Sequence, residues 1–273
     1  METVFGKVEY TDIGSGRPIV FLHGGHSNCN ERLFHQGYDI ARFRLITPSR
    51  PGYGKTPLNS GETPEKAARL VLCLIDLLHL KKIVIVGISA GGLTAIALAN
   101  IMKNGVDKLV LISAISKKWL TKNDLRWYLS KVLFHPMTET ITWKLVNVGF
   151  QVVPRYFTKT FFKQFSNKKS VKIDEGERRG LKEMVALQRS GYGFLNDIHQ
   201  GLKVDVLKAV QCPTLILHSL NDASVAVDIA YHAHKNIRNS ELKIYNNKWG
   251  HLLWLGYDNQ EPIREVNNYI ASK

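Results

Sequence analysis

The sequence is poor in cysteine and contains no long apolar run. Its three cysteines, Cys29, Cys73 and Cys212, are far apart and form no Cys-x-x-Cys pair. We therefore expect no disulfide framework and no zinc site. We also expect no other metal and no cofactor. No apolar run is long enough to span a bilayer, and the opening residues lack the basic and apolar regions of a signal peptide. These absences favour a reduced, cytoplasmic location.

Acidic residues are also scarce, with 23 Asp and Glu against 37 Lys and Arg and a net charge of +14. Residues 115–211 hold 18 of the basic and 8 of the acidic residues, so most of the excess lies there. Such a charge could attract an acidic ligand or, weakly, an anionic membrane. A lysine-rich solvated surface explains it more simply. No nucleic-acid-binding motif is present, so no nucleic acid partner is expected. The sequence does not indicate an oligomeric state.

What the chain does contain is a Gly-x-Ser-x-Gly turn centred on Ser89. The β-branched run 82–86 precedes it and predicts a buried strand, and the Ala- and Leu-rich run 92–101 follows it and predicts a helix. A serine between strand and helix in this pattern is typical of a nucleophile elbow. The pattern alone also occurs by chance, so its support comes from this strand-turn-helix context. Ser89 is therefore the candidate nucleophile.

Alternating strand and helix patterns predict a mostly parallel sheet with helices on both faces, the α/β class. Residues 3–10 alternate as an edge strand or hairpin does. The other predicted strands are 18–22, 44–48, 82–86, 106–113, 213–218 and 241–245, and the predicted helices are 31–40, 63–80, 92–101, 225–237 and 259–272.

Residues 115–200 interrupt this alternation. Aromatic and basic residues recur there at helical spacing, as in Phe157, Phe161 and Phe165 with Lys159 between them. We therefore predict a helical insertion at 115–200 and a core domain made of residues 1–114 and 201–273. The aromatic side chains of the insertion favour an apolar acyl or aryl ligand, although they could equally form the core of the insertion itself.

A serine hydroxyl needs a base to remove its proton, and the base needs an acid to fix its tautomer. In a parallel sheet these partners are expected in loops at the carboxyl ends of the strands. Asp222 follows the predicted strand 213–218, and His251 follows the last one. Asp197 and Asp205 compete for the role of the acid, but both precede the strand. The candidate triad is therefore Ser89, Asp222 and His251.

An acyl-transfer site also needs N–H donors for the oxyanion. The N–H of Ala90, directly after the serine, is one candidate. The loop His23-Gly24-Gly25-His26 follows an earlier strand, and its glycines let the backbone approach a substrate. Gly25 is the candidate for the second donor, and His26 either lines the site or supports the loop.

These stretches, together with Ser49-Arg50-Pro51-Gly52-Tyr53-Gly54 and Trp249-Gly250-His251, occur in an order that resembles the α/β-hydrolase superfamily. The resemblance is to its cap-bearing serine hydrolases, which include carboxylesterases, C–C bond hydrolases and haloperoxidase-like esterases. It implies the α/β-hydrolase fold and a helical cap over the site at 115–200. A serine at the elbow differs from the aspartate of haloalkane dehalogenases and soluble epoxide hydrolases. The elbow also lacks the tryptophan after serine that is typical of proline iminopeptidases.

The resulting prediction is a serine hydrolase that cleaves a carboxylic ester of a small-to-medium apolar or aromatic substrate through an acyl-enzyme. His26, Trp127, Trp143 and Phe157 are the predicted substrate-binding residues. Three alternatives stay open: a C–C bond hydrolase with the same triad, a ligand sensor built on a hydrolase fold, and a peripheral-membrane lipase that docks through its basic cap.

Overall fold

Nine strands occur in the computed structural model, which describes residues 1–59, 61–169 and 171–272. Two form a separate hairpin, and seven form the central sheet. The hairpin pairs β1 (Glu2–Thr3) with β2 (Gly6–Lys7). The sheet contains β3 (Tyr10–Gly14), β4 (Arg17–Leu22), β5 (Phe43–Pro48), β6 (Ile83–Ile88), β7 (Val106–Ile112), β8 (Thr214–Ser219) and β9 (Ser240–Tyr245).

Helices connect these strands, with short 3-10 turns at Leu33–His35 and Lys103–Gly105. The helices are α1 (Pro64–Leu77), α2 (Gly91–Met102), α3 (Leu125–Leu133), α4 (Glu139–Val152), α5 (Pro154–Phe165), α6 (Glu175–Leu187), α7 (Gly193–Asp197), α8 (Val204–Lys208), α9 (Asp228–Asn236) and α10 (Gln260–Ala271).

The strand order in the sheet is β3-β5-β4-β6-β7-β8-β9. Only the edge pair β3–β5 is antiparallel, which confirms the predicted mostly parallel sheet. Successive residues of β6 point to opposite faces: Ile85 packs in one apolar cluster and Val86 in the other. Because both faces are covered, β6 is a continuous apolar run rather than an alternating one.

The predicted start of α1 is confirmed. The Thr63 side chain accepts a hydrogen bond from the Lys66 N–H at 3.2 Å, and Pro64 occupies the first turn. This arrangement satisfies one of the free N–H groups at the helix start, and proline needs no hydrogen bond there.

The predicted helix at 31–40 is wrong, because only the turn Leu33–His35 is helical there. Gln36 is already extended, with ψ of 134°. The Asn267 side chain of α10 donates a hydrogen bond to the Gly37 carbonyl at 3.0 Å. Gly37 itself has a φ of 82°, a left-handed conformation through which a right-handed helix cannot continue.

Helices α3 to α7 lie between β7 and β8 in the sequence, in the interval predicted to be helical. Of the predicted domains, Ser170 in the insertion and Ser60 and Lys273 in the core lie outside the described residues. No described helix combines the length and the apolar character that crossing a bilayer requires.

Candidate active site

Ser89 lies in the sharp turn between β6 and α2. Its φ is 50°, a region that residues other than glycine rarely adopt and that costs on the order of 1–3 kcal/mol. Backbone hydrogen bonds hold this conformation: the Ser89 N–H donates to the Ile112 carbonyl, and the Ser89 carbonyl accepts from Gly92, both at 3.0 Å. A Cβ at Gly91 would collide with the Leu22 carbonyl oxygen, so glycine is required for this close approach to β4.

His251 connects Ser89 to Asp222. Its Nε2 lies 3.0 Å from the Ser89 Oγ, and its Nδ1 lies 2.8 Å from the Asp222 Oδ2. The ring of Phe165, at the end of α5, lies parallel to the imidazole with 6.2 Å between the centroids. The Phe165 carbonyl also accepts the His251 backbone N–H at 2.9 Å. The three predicted triad residues therefore form one hydrogen-bonded line. Phe165, in the predicted insertion, contacts the imidazole and the backbone of His251.

The Asp222 carboxylate is buried, and it accepts several hydrogen bonds. Its Oδ1 accepts the N–H groups of Ser224 and Val225, both at 2.8 Å, and its Oδ2 lies near His218 as well as His251. Burial alone would raise the pKa of Asp222, but its attraction to His251 and the hydrogen bonds from His218 and His251 lower that pKa to about 2. Asp222 is therefore an anion at neutral pH.

His218 is a member of this network that the sequence analysis did not identify. Its Nε2 lies 3.2 Å from the Asp222 Oδ2 and 2.9 Å from the Val225 carbonyl oxygen. Because a carbonyl oxygen can only accept, the proton lies on Nε2 and is shared between the two oxygens. The only available sequence signal is that His218 is the last residue of the predicted strand 213–218, which leads to the aspartate.

The loop 23–25 runs beside Ser89. A Cβ built at Gly24 would lie 3.1 Å from the Ser89 Cβ. Within residues 1–59, 61–169 and 171–272, neither the Gly25 N–H nor the Ala90 N–H donates to a protein acceptor. Both predicted oxyanion donors are therefore available to a ligand next to the serine.

The Arg50 side chain donates hydrogen bonds to the backbone of this loop. Its guanidinium forms a bidentate pair with the Asp197 carboxylate, at 3.0 and 2.7 Å, and its Nε donates to the His23 carbonyl at 2.7 Å. The Tyr53 hydroxyl donates to the same carboxylate at 2.6 Å. Asp197, a competitor for the role of the triad acid in the sequence, is therefore the partner of Arg50. The pair joins the loop to α7 of the insertion.

Breaking this buried pair should cost much of the stability of the fold. Arg50→Met leaves the Asp197 carboxylate buried and without its counter-charge, so we expect the free energy of unfolding to fall by about 3–5 kcal/mol. Arg50→Met with Asp197→Leu removes both charges, and its cost should be smaller than the sum of the single costs by about 1–3 kcal/mol. Urea unfolding of the wild type and the three variants measures this coupling. Additive costs would mean that the pair does not stabilise the fold.

His26 and Trp143 are brought together beside Gly25. The Trp143 indole donates to the Ser190 Oγ at 2.8 Å, and this oxygen lies 2.8 Å from the His26 Nδ1. The Ser190 hydroxyl accepts from the indole and has its own proton to give to Nδ1. Burial lowers the pKa of His26 to about 3, which keeps the ring neutral. Phe194, which also contacts Gly25, stacks on His26 at 3.7 Å between centroids.

In the described residues, the other two predicted substrate-binding side chains make no ring contact with His26 or Trp143. Trp127 packs against Tyr128 and His199, although it shares an apolar cluster with Phe194. Phe157 packs against Phe150, between α4 and α5. The ring contacts of Phe157 in the described part of the chain are those expected of a core residue of the insertion.

Comparison with known proteins identifies the family of this chain. The sequence pattern of the α/β hydrolase fold matches residues 17–255. The uncharacterised hydrolase YcgS of Bacillus subtilis is 38% identical over 278 residues, which cover 98% of this chain and 96% of that protein. An α/β hydrolase fold protein from Nakamurella multipartita is similar in structure, with a TM-score of 0.79 and 24% identity over 98% of this chain and 96% of that chain. An esterase from Exiguobacterium antarcticum has a TM-score of 0.74 and 24% identity, over 99% of this chain and 98% of that chain. The chain therefore belongs to the α/β-hydrolase superfamily and is a hydrolase.

Proposed function

We propose that this hydrolase cleaves carboxylic esters of small-to-medium apolar or aromatic substrates through a covalent acyl-enzyme. The observation that carries the proposal is the hydrogen-bonded line from Ser89 through His251 to Asp222 next to two free backbone N–H groups. A nucleophile, a base, an acid that fixes the base and an oxyanion site are the four parts that acyl transfer requires.

In the acylation step, the Ser89 Oγ attacks the ester carbonyl carbon while the His251 Nε2 takes its proton. The carbonyl oxygen becomes an oxyanion, which the N–H groups of Gly25 and Ala90 stabilise. The intermediate then collapses and the C–O bond to the alcohol breaks. The alcohol leaves with the proton from His251, and the acyl group stays on Ser89.

In the deacylation step, water attacks the acyl carbon and gives a proton to His251. The bond to Ser89 breaks, Ser89 regains its proton, and the carboxylic acid is released. Asp222 keeps the proton of the neutral imidazole on Nδ1, so that Nε2 can accept, and it stabilises the imidazolium that forms twice per cycle. Its pKa of about 2 keeps it charged throughout.

The apolar substrate preference rests on the aromatic side chains beside Gly25. His26, Trp143 and Phe194 contact one another there, and Phe134 packs on His26 at 4.4 Å between centroids. Their neutral, mostly apolar surface favours an acyl or aryl group over a charged one. Since these rings come largely from residues 115–200, we propose that this segment is a cap over the core made of 1–114 and 201–273.

A series of p-nitrophenyl esters of increasing acyl length tests the proposal. We expect turnover that requires Ser89, with kcat/KM highest for one chain length and lower for longer ones, because the cap limits the site. Ser89→Ala is the control for background hydrolysis. A folded protein that turns over no member of the series would contradict ester hydrolysis. Cleavage of a C–C bond beside a ketone would then be the next reaction to assay.

A further inference from the structure

Helix α4 is apolar on two opposite sides, and only one of them is buried in the protein. Trp143 and Phe150 face the interior. Four aliphatic residues with helical spacing form a second stripe on the outside, and they are between 46 and 72% exposed: Ile141, Leu145, Val148 and Val152. Packing against the protein core therefore does not explain why the outer side of α4 is apolar.

Helix α3 continues the apolar surface. Its exposed residues with helical spacing are Leu125, Tyr128, Leu129 and Val132. The Thr142 side chain donates to the Leu133 carbonyl at 2.8 Å, which holds the end of α3 against the start of α4. Met137, in the connection between them, is 82% exposed. We call the exposed apolar side chains of residues 125–156 the outer face. A cluster of exposed apolar side chains on adjacent helices marks an interaction site.

The charges around the outer face are almost all positive. Residues 117–172 contain twelve Lys and Arg and two Asp and Glu, and Glu139, one of the two acids, is buried. Two of the twelve cations are paired, Arg126 with Asp124 and Lys117 with Asp228 of α9. In the described part of the chain no ion pair involves the exposed residues Lys131, Lys144, Arg155, Lys159 and Lys163.

We propose that the outer face docks on a lipid bilayer that contains anionic phospholipid. Aliphatic side chains surrounded by lysines match the acyl chains and the anionic headgroups of such a bilayer. A second copy of this chain fits less well, because dimerisation through the outer face would bring two lysine-rich surfaces together. The proposal does not rest on the catalytic assignment, because no residue of the outer face belongs to the proposed triad or oxyanion site.

Docking would also place the active site close to the lipid. The inner side of α4 carries Trp143, which contacts His26, and α5 ends at Phe165, which lies on His251. The inner side of the helix that touches the bilayer therefore contacts the loop after β4, and the next helix contacts His251. An apolar ester dissolved in the bilayer is the kind of substrate that such an orientation favours.

Co-sedimentation with vesicles tests the docking. We expect the full chain to bind phosphatidylcholine vesicles that contain about one third phosphatidylglycerol more strongly than phosphatidylcholine alone, with binding reduced by added salt. Lys144→Glu and Leu145→Ser should each lower the partition coefficient about tenfold. The matched control is Tyr231→Ser with Lys235→Glu on α9, where an exposed aromatic and an exposed lysine also lie on one helix. Its partition coefficient should stay within about twofold of the wild type.

Three outcomes would overturn the proposal. The first is no preference for the anionic vesicles, and the second is an equal loss of binding in the control and in the outer-face variants. The third is a dimer in sedimentation equilibrium that Leu145→Ser dissociates, which would assign the outer face to a second copy. Circular dichroism of each variant establishes that it is folded.

Discussion

Replacing Ser89 by alanine should lower kcat for ester hydrolysis by about 10⁴–10⁶, to the level supplied by binding and the oxyanion site alone. The Ser89 Oγ is the only atom that the substitution removes, and its hydrogen-bond partner is His251. Alanine has the same Cβ as serine, so the positive φ of residue 89 is no harder to adopt. The free energy of unfolding should therefore change by less than about 1 kcal/mol.

Ser116→Ala is the matched control for this experiment. Ser116 is buried, whereas Ser89 is partly exposed. The Ser116 hydroxyl donates to the Ile229 carbonyl at 2.9 Å and lies 3.0 Å from the His232 Nδ1, and neither partner belongs to the triad. The substitution should cost about 1 kcal/mol of stability and leave kcat within about twofold. Steady-state kinetics and urea unfolding of both variants separate the two effects. If Ser89→Ala kept more than about a tenth of the wild-type kcat, the nucleophile would have to be another group.

The sheet and the triad could be predicted because both depend on local patterns and chain order. Buried parallel strands are continuous β-branched runs, and each run is followed by the loop that reaches the same edge of the sheet. Ser89 directly follows β6, whereas Asp222 and His251 lie in the loops that follow β8 and β9. Their proximity is therefore a consequence of the strand order β6-β7-β8-β9.

The supporting contacts could not be predicted, because they join segments that are distant in sequence. Arg50 and Asp197 are 147 residues apart, and no periodicity connects them. The helix predicted at 31–40 fails for a local reason, since Gly37 adopts a φ of 82°, which a right-handed helix cannot contain. Helical spacing also does not show which side of a helix faces the core. Phe157 and Trp143 looked equivalent in the sequence, but only Trp143 contacts the loop after β4.

Asp222→Asn should lower kcat by about 10⁴, because the amide forces the wrong tautomer on His251. The backbone N–H groups of Ser224 and Val225 both donate to the Asp222 Oδ1, so the asparagine oxygen should take that position. The NH₂ group then takes the Oδ2 position and donates to the His251 Nδ1. The imidazole proton moves to Nε2, which can no longer accept the proton of Ser89.

The same variant has a second expected effect, on stability in acid. The folded-state pKa of Asp222 is about 2, below the 3.8 of an unperturbed aspartate. Its contribution to stability is therefore present above about pH 4 and is lost as the pH falls towards 2. Between about pH 5 and pH 3 the wild type should lose about 1 kcal/mol more stability than Asp222→Asn. Urea unfolding at both pH values measures this difference. A small fall in kcat with the full difference in acid stability would mean that Asp222 is a buried anion but not the acid that orients His251.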